Sequence, residues 1–366
     1  MFDDFWYCDY TGGLVIENVE TASVPVLLLG FNRPDKLPRV IEPLRSIKPQ
    51  RVFIAIDGPR EGRSDEAEKC LETQRAAESA IDWECQVERL YRDRNLGCRR
   101  AVSEAITWAL QQVEEVLIIE DDCIVDPSFV ALSRVLLDRY RNDERVACIA
   151  ASNFQQGHWR GDGGYYASKY PHCWGWATWR RAWKGYTDDL DTHGAFTESN
   201  AYAALHTSEL EREYWRHAID LCRSGKVDSW SYLWTFSCWL RGMVALLPNK
   251  NLVTNVGFGA DSTHTKEACE ITDLRHEVLE DFSAPSSLAI NQEADEFTFR
   301  RIFCAPASPM ENFIVSRRFK KLRGKTQGME KELRELKKES AKWQTWQAWA
   351  RKHPVRAAWR VLRGKL

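Results

Sequence analysis

Residues 116–127 read Val-Leu-Ile-Ile-Glu-Asp-Asp-Cys-Ile-Val-Asp-Pro, and no other stretch constrains the fold as much. The apolar residues 116–119 fit a strand buried on both faces, the usual state in a parallel sheet. Glu120, Asp121 and Asp122 follow without a break. Packing does not account for them, because a buried carboxylate costs several kcal/mol unless it is paired or bound to a metal. Open α/β sheets bind their ligands at the carboxyl ends of the strands. Acids at that edge suit a hard divalent cation, and Mg²⁺ or Mn²⁺ takes carboxylate oxygen. The plainer reading is an acidic loop before a helix that Asp126 caps and Pro127 opens.

The pattern before this stretch alternates. Residues 24–31 read as a strand ending in Gly30, and 38–47 as a helix. Residues 51–56 form a second strand pattern, closed by the turn signal Asp57-Gly58-Pro59-Arg60. Residues 64–81 read as a helix, 85–91 as a strand, and 98–113 as a helix after the turn Asn95-Leu96-Gly97. This order predicts a parallel α/β sheet. Three strand ends carry polar residues: Asn32-Arg33, Asp57-Gly58 and the acid triplet. A nucleotide diphosphate explains all three. A carboxylate accepts from a base N–H, an Arg takes phosphate, and a metal bridges diphosphate to acids. Neither Gly-x-x-x-x-Gly-Lys-Ser/Thr nor Gly-x-Gly-x-x-Gly is present.

Beyond a helix at 129–140 and a strand at 146–151 the composition changes. Residues 158–183 hold Trp159, Tyr165, Tyr166, Tyr170, Trp174, Trp176, Trp179 and Trp183 with glycines between them. Two readings stand: an aromatic core under a loop-rich lobe, or a sugar platform of rigid aromatic faces. Residues 187–225 read as largely helical. An apolar helix follows Asp228-Ser229-Trp230, and 243–248 reads as a strand end. Residues 253–265 read as a loop, with His264 a candidate ligand.

These motifs fall in one order: Asn32-Arg33-Pro34, Asp57-Gly58-Pro59, Asn95-Leu96-Gly97, Glu120-Asp121-Asp122, the Cys173-Trp174-Gly175-Trp176 stretch and Asn255-Val256-Gly257-Phe258-Gly259. Together they resemble bacterial glycosyltransferases of the GT-A fold, related to the N-acetylglucosaminyltransferase I family and to the family-2 transferases. The likeness covers roughly residues 25–265. It implies an α/β fold: a Rossmann-like mixed sheet flanked by helices, with a helical C-terminal extension. It implies Asp122 as ligand of Mn²⁺ or Mg²⁺; His264, from its own loop, is the further candidate for a metal or phosphate ligand. Glu120, Asp121, Asn32 and Asn95 would hold the nucleotide sugar, with UDP the first expectation. Asp57 would meet the base and Arg33 the diphosphate. Trp174, Trp176 and Trp230 would face a glycan or lipid-linked acceptor. Asp228, beside Trp230, is the nearest match to the catalytic base, with Asp261 next. The alternative for Asp228 is a helix N-cap.

The implied organisation is an N-terminal extension over 1–23, a nucleotide-sugar half over 24–145, an acceptor half over 146–275 and a basic extension over 276–366. Net charge is −2, yet from residue 317 onward 17 Lys and Arg face 4 Asp and Glu, a charge of +13 that leaves −15 on the rest. Such a tail suits an anionic membrane surface, and the acidic body argues against nucleic acid. Leu322, Met329, Leu336, Trp343 and Ala350 recur at heptad spacing, but Thr326, Ser340 and Gln347 break the second seam of a coiled coil. Val355, Ala358, Trp359 and Leu362 mark an apolar face opposite Arg356, Arg360 and Arg363, as in interfacial helices. Docking on the acidic body and self-association are the other readings of the tail. The 11 cysteines show no Cys-x-x-Cys pair and read as reduced core residues. Residues 1–13 lack a basic and an apolar signal region, so the expected location is cytoplasmic, at the inner membrane. The rivals are a sugar-phosphate nucleotidyltransferase, which needs a Gly-rich loop after its first strand, and a non-catalytic binding protein anchored by its tail.

Overall fold

The computed structural model describes residues 24–206, 208–257, 274–303 and 317–353. Its centre is an eight-stranded mixed sheet. The first four strands are β1 (Val26–Gly30), β2 (Arg51–Ile56), β3 (Gln86–Tyr91) and β4 (Glu115–Glu120). They lie in the order β3-β2-β1-β4, all parallel. Between them run α1 (Leu37–Ile41), α2 (Ser64–Ala80) and α3 (Gly97–Leu110). Apolar runs on β1, β2 and β4 are buried throughout, which is what a sheet covered by helices demands.

Two short strands, β5 (Cys123–Val125) and β10 (Val253–Asn255), pair antiparallel beside the acid triplet. Next, α4 (Pro127–Arg139) starts where Asp126 Oδ1 accepts from the Ser128 N–H at 2.8 Å, the cap its sequence announces. The sheet then continues through β6 (Val146–Ala150), β7 (Tyr165–Ser168), β8 (Trp176–Trp179) and β9 (Val244–Pro248). Its order from β4 outward is β8-β6-β9-β7. Only β7 and β8 run against the other strands. The expected α/β architecture is therefore present, with one correction of detail. The aromatic stretch is not a loop-rich lobe: it supplies β7 and β8. Tyr165, Tyr166, Trp176, Trp179 and Trp183 are buried, and the core reading accounts for them.

A second apolar cluster belongs to α6 (Leu190–Phe196), α7 (Asn200–Leu205), α8 (Glu209–Arg223) and α9 (Trp230–Leu240), which follow the single turn α5 (Arg180–Trp183). Beneath it lies a buried polar knot. Lys169 Nζ pairs with Glu211 Oε1 at 2.8 Å, and His206 Nδ1 stands 3.1 Å from the same oxygen. Asp295, on α10 (Gln292–Thr298), accepts from the Ser168 hydroxyl and, at 3.0 Å, from the Lys169 N–H. This fastens the residues after the sheet onto β7.

Among the described residues beyond 316, the C-terminal extension forms one long helix, α11 (Arg317–Lys352), which runs against α8. Of its heptad stripe, Met329, Leu336 and Trp343 are exposed. Residues 354–366, with the Val355 to Leu362 face, lie outside the described residues. Among the described residues no helix is long and apolar enough to cross a membrane, and the described cysteines are free.

Candidate functional site

Parallel pairing brings the three polar strand ends to one edge. Leu29 of β1 is level with Glu120 of β4, and Gly30 with Ile56 of β2, so the chain leaves all three strands side by side. The Asp57 N–H donates to Gly30 O at 3.0 Å, closing that edge.

Asp57 works on the next turn. Its Oδ1 accepts from the Gly58 and Leu96 N–H groups at 2.9 and 3.1 Å, and its Oδ2 from Asn95 Nδ2 at 2.8 Å. Asp57 thus fixes the Asn95-Leu96-Gly97 turn that starts α3. Burial raises its pKa, while the N–H groups of Leu96 and Gly58 pull the other way. Asn32 is half-buried in the turn after β1.

In the acid triplet, Arg33 Nη1 donates to Asp121 Oδ1 at 2.9 Å and to Asp122 Oδ2 at 3.1 Å. The residue expected on the diphosphate is here held by the acids. Burial lifts the Asp121 pKa, against the pull of Arg33 and the Phe31 N–H. Burial, then the charges of Asp122 and Asp121, lifts Glu120 above the ordinary carboxylate range. Of the expected Asn255-Val256-Gly257-Phe258-Gly259 motif, residues 255–257 arrive here, while Phe258 and Gly259 lie outside the described residues. The Val256 N–H donates to Asp122 O at 2.7 Å, and Lys36 Nζ donates to Val256 O at 3.2 Å. Gly257 sits so close that an added Cβ would lie 2.1 Å from Asp122 Oδ2.

The acceptor-side residues divide. The β4–β8 pairing ends at Trp176↔Ile118, and Trp174 lies just before β8, ahead of the bend at Gly175 (φ +62°). Trp174 is half-buried, edge-on to Phe154 at 5.4 Å. Phe154 in turn packs edge-on against His172 at 4.7 Å. Burial lowers the His172 pKa to about 3, which keeps it neutral. Trp176 and Trp230 must be corrected: they are 0% and 3% exposed and stack on each other at 5.5 Å in the core. Neither ring can meet an acceptor.

Asp228 does not cap its own helix. Ser229 does, its Oγ accepting from the Tyr232 N–H at 3.3 Å. Asp228 leans instead over the start of α3. Its Oδ2 lies 3.4 Å from the Arg99 N–H and its Oδ1 3.8 Å from Arg99 Nε, with the side chain 53% exposed. Cys98, also at the start of α3, is an exposed residue and not the core cysteine expected from the sequence. Desolvation, and then the charges of Glu120, Asp228, Asp57 and Asp122, push its thiol up to about 12. Sequence reading passed over Cys98 and Lys36, since nothing in their spacing marks them. His264 and Asp261 lie outside the described residues.

The donor set fits a hard divalent cation in kind. Such an ion commonly takes one or two carboxylates and completes its shell with water and substrate phosphate. Asp122, with Asp121 beside it, provides that much. Among the described residues no group of three or more His, Cys, Asp or Glu is arranged as a metal site.

No protein-family model and no curated protein matches this chain. Solved structures do. It is similar to GalNAc-T7 with UDP, GalNAc and Mn²⁺, at 10% identity and a TM-score of 0.35, over 63% of this chain and 43% of that one. It is similar to residues 1–349 of TarS from S. aureus, at 11% identity and a TM-score of 0.31, over 54% and 65%. It is similar to UDP-glucose pyrophosphorylase complexed with UDP-glucose, at 11% identity and a TM-score of 0.30, over 44% and 78%. The chain spans less than half of GalNAc-T7 and just under two thirds of the TarS chain. At these identities and scores none of the likenesses assigns a reaction or a substrate to it.

Proposed function

We propose that this chain is a metal-dependent, inverting glycosyltransferase. In this reading it moves a sugar from a UDP-sugar to a glycan or lipid-linked acceptor during bacterial surface polysaccharide synthesis. One observation carries the reading: Asp57, Arg33, the acid triplet and the 255–257 segment converge at one carboxyl edge of the sheet. The rival nucleotidyltransferase needs a Gly-rich loop after β1, and this chain has Gly30-Phe31-Asn32-Arg33 there.

Asp122 would hold a divalent cation, which when bound offsets charge on the leaving diphosphate. Arg33 would bind the diphosphate, and Asp57, through the turn it fixes, would shape the base pocket. Trp174, half-buried just before β8, would line the acceptor side. Asp228 would take the acceptor hydroxyl's proton; a placed carboxylate of this kind supplies roughly 10²- to 10⁴-fold. The basic tail would hold the enzyme against an anionic membrane at its cytoplasmic face.

Thermal melts of the full chain with a panel of nucleotide sugars, with and without Mn²⁺, test the reading, because a ligand bound only to the folded state raises its stability. A metal-dependent shift with one sugar nucleotide is expected, and Asp122→Ala should abolish it. No shift with any of them would sink the proposal.

A further inference from the structure

A single nitrogen of Arg33 bridges two carboxylates. Its Nη1 stands 2.9 Å from Asp121 Oδ1 and 3.1 Å from Asp122 Oδ2, and all three side chains are mostly buried. The turn that carries Arg33 is itself closed, since Arg33 O accepts from the Lys36 N–H at 3.2 Å. Gly257 backs Asp122 from its own side, with no room for a Cβ beside Oδ2. The place between the two acids therefore already holds a positive charge, fixed by the fold.

We propose that Arg33 is the positioning residue that makes this site take a divalent cation together with a diphosphate rather than alone. The proposal rests on the nucleotide-sugar reading above. A cation arriving alone must push the guanidinium off Asp122, and two positive groups then crowd one partly buried pocket. A diphosphate arriving alone meets Asp121 and Asp122 with their charge only half balanced. When both arrive, Arg33 exchanges Asp122 for phosphate oxygens, which match its planar fork, and the cation takes the freed carboxylate. The two ligands are thus coupled through one side chain that bridges Asp121 and Asp122, and such coupling is reciprocal.

The test compares the full wild-type chain with Arg33→Gln. Mn²⁺ binding is read from the loss of the free-ion electron paramagnetic resonance signal, first without nucleotide and then with saturating UDP. In the wild type, UDP should tighten Mn²⁺ binding by roughly 5- to 150-fold, the usual range for coupled sites. In Arg33→Gln the protein should bind Mn²⁺ alone about tenfold tighter, equal to about 1.4 kcal/mol, and the gain from UDP should fall towards one. Unchanged affinity for Mn²⁺ alone, or an unchanged gain, overturns the proposal. Should Arg33→Gln fail to fold by circular dichroism, Arg33→Lys decides. It keeps the charge but loses the fork, so Mn²⁺ alone should stay weak while the gain from UDP shrinks. A gain as large as the wild type's overturns the proposal there. Absence of UDP binding in every protein would sink the nucleotide-sugar reading, whereas the Mn²⁺-alone comparison still judges Arg33.

Discussion

Gly97 and Asp228 share a space that only glycine leaves open. Gly97 has φ +79°, and a Cβ built on it would lie 2.6 Å from Asp228 Oδ2. Two distant parts of the chain, the start of α3 and the start of α9, meet through this contact.

Gly97→Ala should therefore destabilise the fold by about 1–3 kcal/mol, from the left-handed backbone and the blocked carboxylate together. In an Asp228→Ala background the same change should cost less, a non-additivity of about 0.5–3 kcal/mol in urea unfolding. Equal costs in both backgrounds would mean that the contact is relieved elsewhere. Asp228→Asn keeps the shape and should lower turnover by roughly 10²- to 10⁴-fold with little change in UDP affinity. Near-normal turnover would move the base to another residue.

The two tryptophans of the Cys173-Trp174-Gly175-Trp176 stretch should behave oppositely. Trp176 is fully buried, and Trp176→Ala should cost about 3–5 kcal/mol of stability. Trp174 is half-buried just before β8. Trp174→Ala should raise KM for the acceptor with a far smaller stability loss. Thermal melts beside acceptor titrations distinguish the two, and a large stability loss in Trp174→Ala would make it another core residue.

Asp295 ties stability to pH. Burial, opposed by the Ser168 hydroxyl and the Lys169 N–H, raises its carboxyl pKa from 3.8 to about 7. Lys169 and Glu211 are the charged groups facing it. The native state keeps this proton where the unfolded chain has released it. Stability therefore falls as pH rises from about 4 to about 7, by on the order of 4 kcal/mol from this group. Asp295→Asn should remove that slope. Urea midpoints of both proteins across this range give the difference, and parallel curves would refute it.

The tail should bind anionic vesicles in two ways. Each Lys or Arg near the leaflet contributes about 1 kcal/mol, which salt screens. Buried apolar side chains add roughly 25 cal/mol per Å², which salt does not screen. The full chain should sediment with such vesicles, added salt should weaken this only in part, and removing residues 317–366 should abolish it. A full chain that ignores the vesicles at low salt would leave the tail as a clamp on the body or a self-association surface.

The sequence was most legible where one physical cause dominated. Strands β1, β2, β4, β6 and β9 are apolar runs that a buried sheet requires, so their bounds fell within a residue or two of the expected ones. Strands β7 and β8 were hidden because Tyr165-Tyr166-Ala167-Ser168 and Trp176-Ala177-Thr178-Trp179 lie among glycines, with loop-like composition. The three-residue strands β5 and β10 are too short for a period to show. The edge that gathers Asp57 and the acid triplet followed from strand direction alone. Which side chain grips which did not. Nothing in Asn32-Arg33-Pro34 says that the guanidinium turns to Asp121 and Asp122, and spacing cannot tell the buried Trp176 from Trp174 at the rim.

The seat under Asp122 has a consequence for the newborn chain. Its backing comes from Val256 and Gly257, delivered by the ribosome long after residues 120–122. Until β10 and the residues after it emerge, the acids at the sheet edge can be held by Arg33 but lack this backing. Completion of the site is thus a late event in synthesis, and a polypeptide cut short before residue 257 would carry the acids without the seat that aims them.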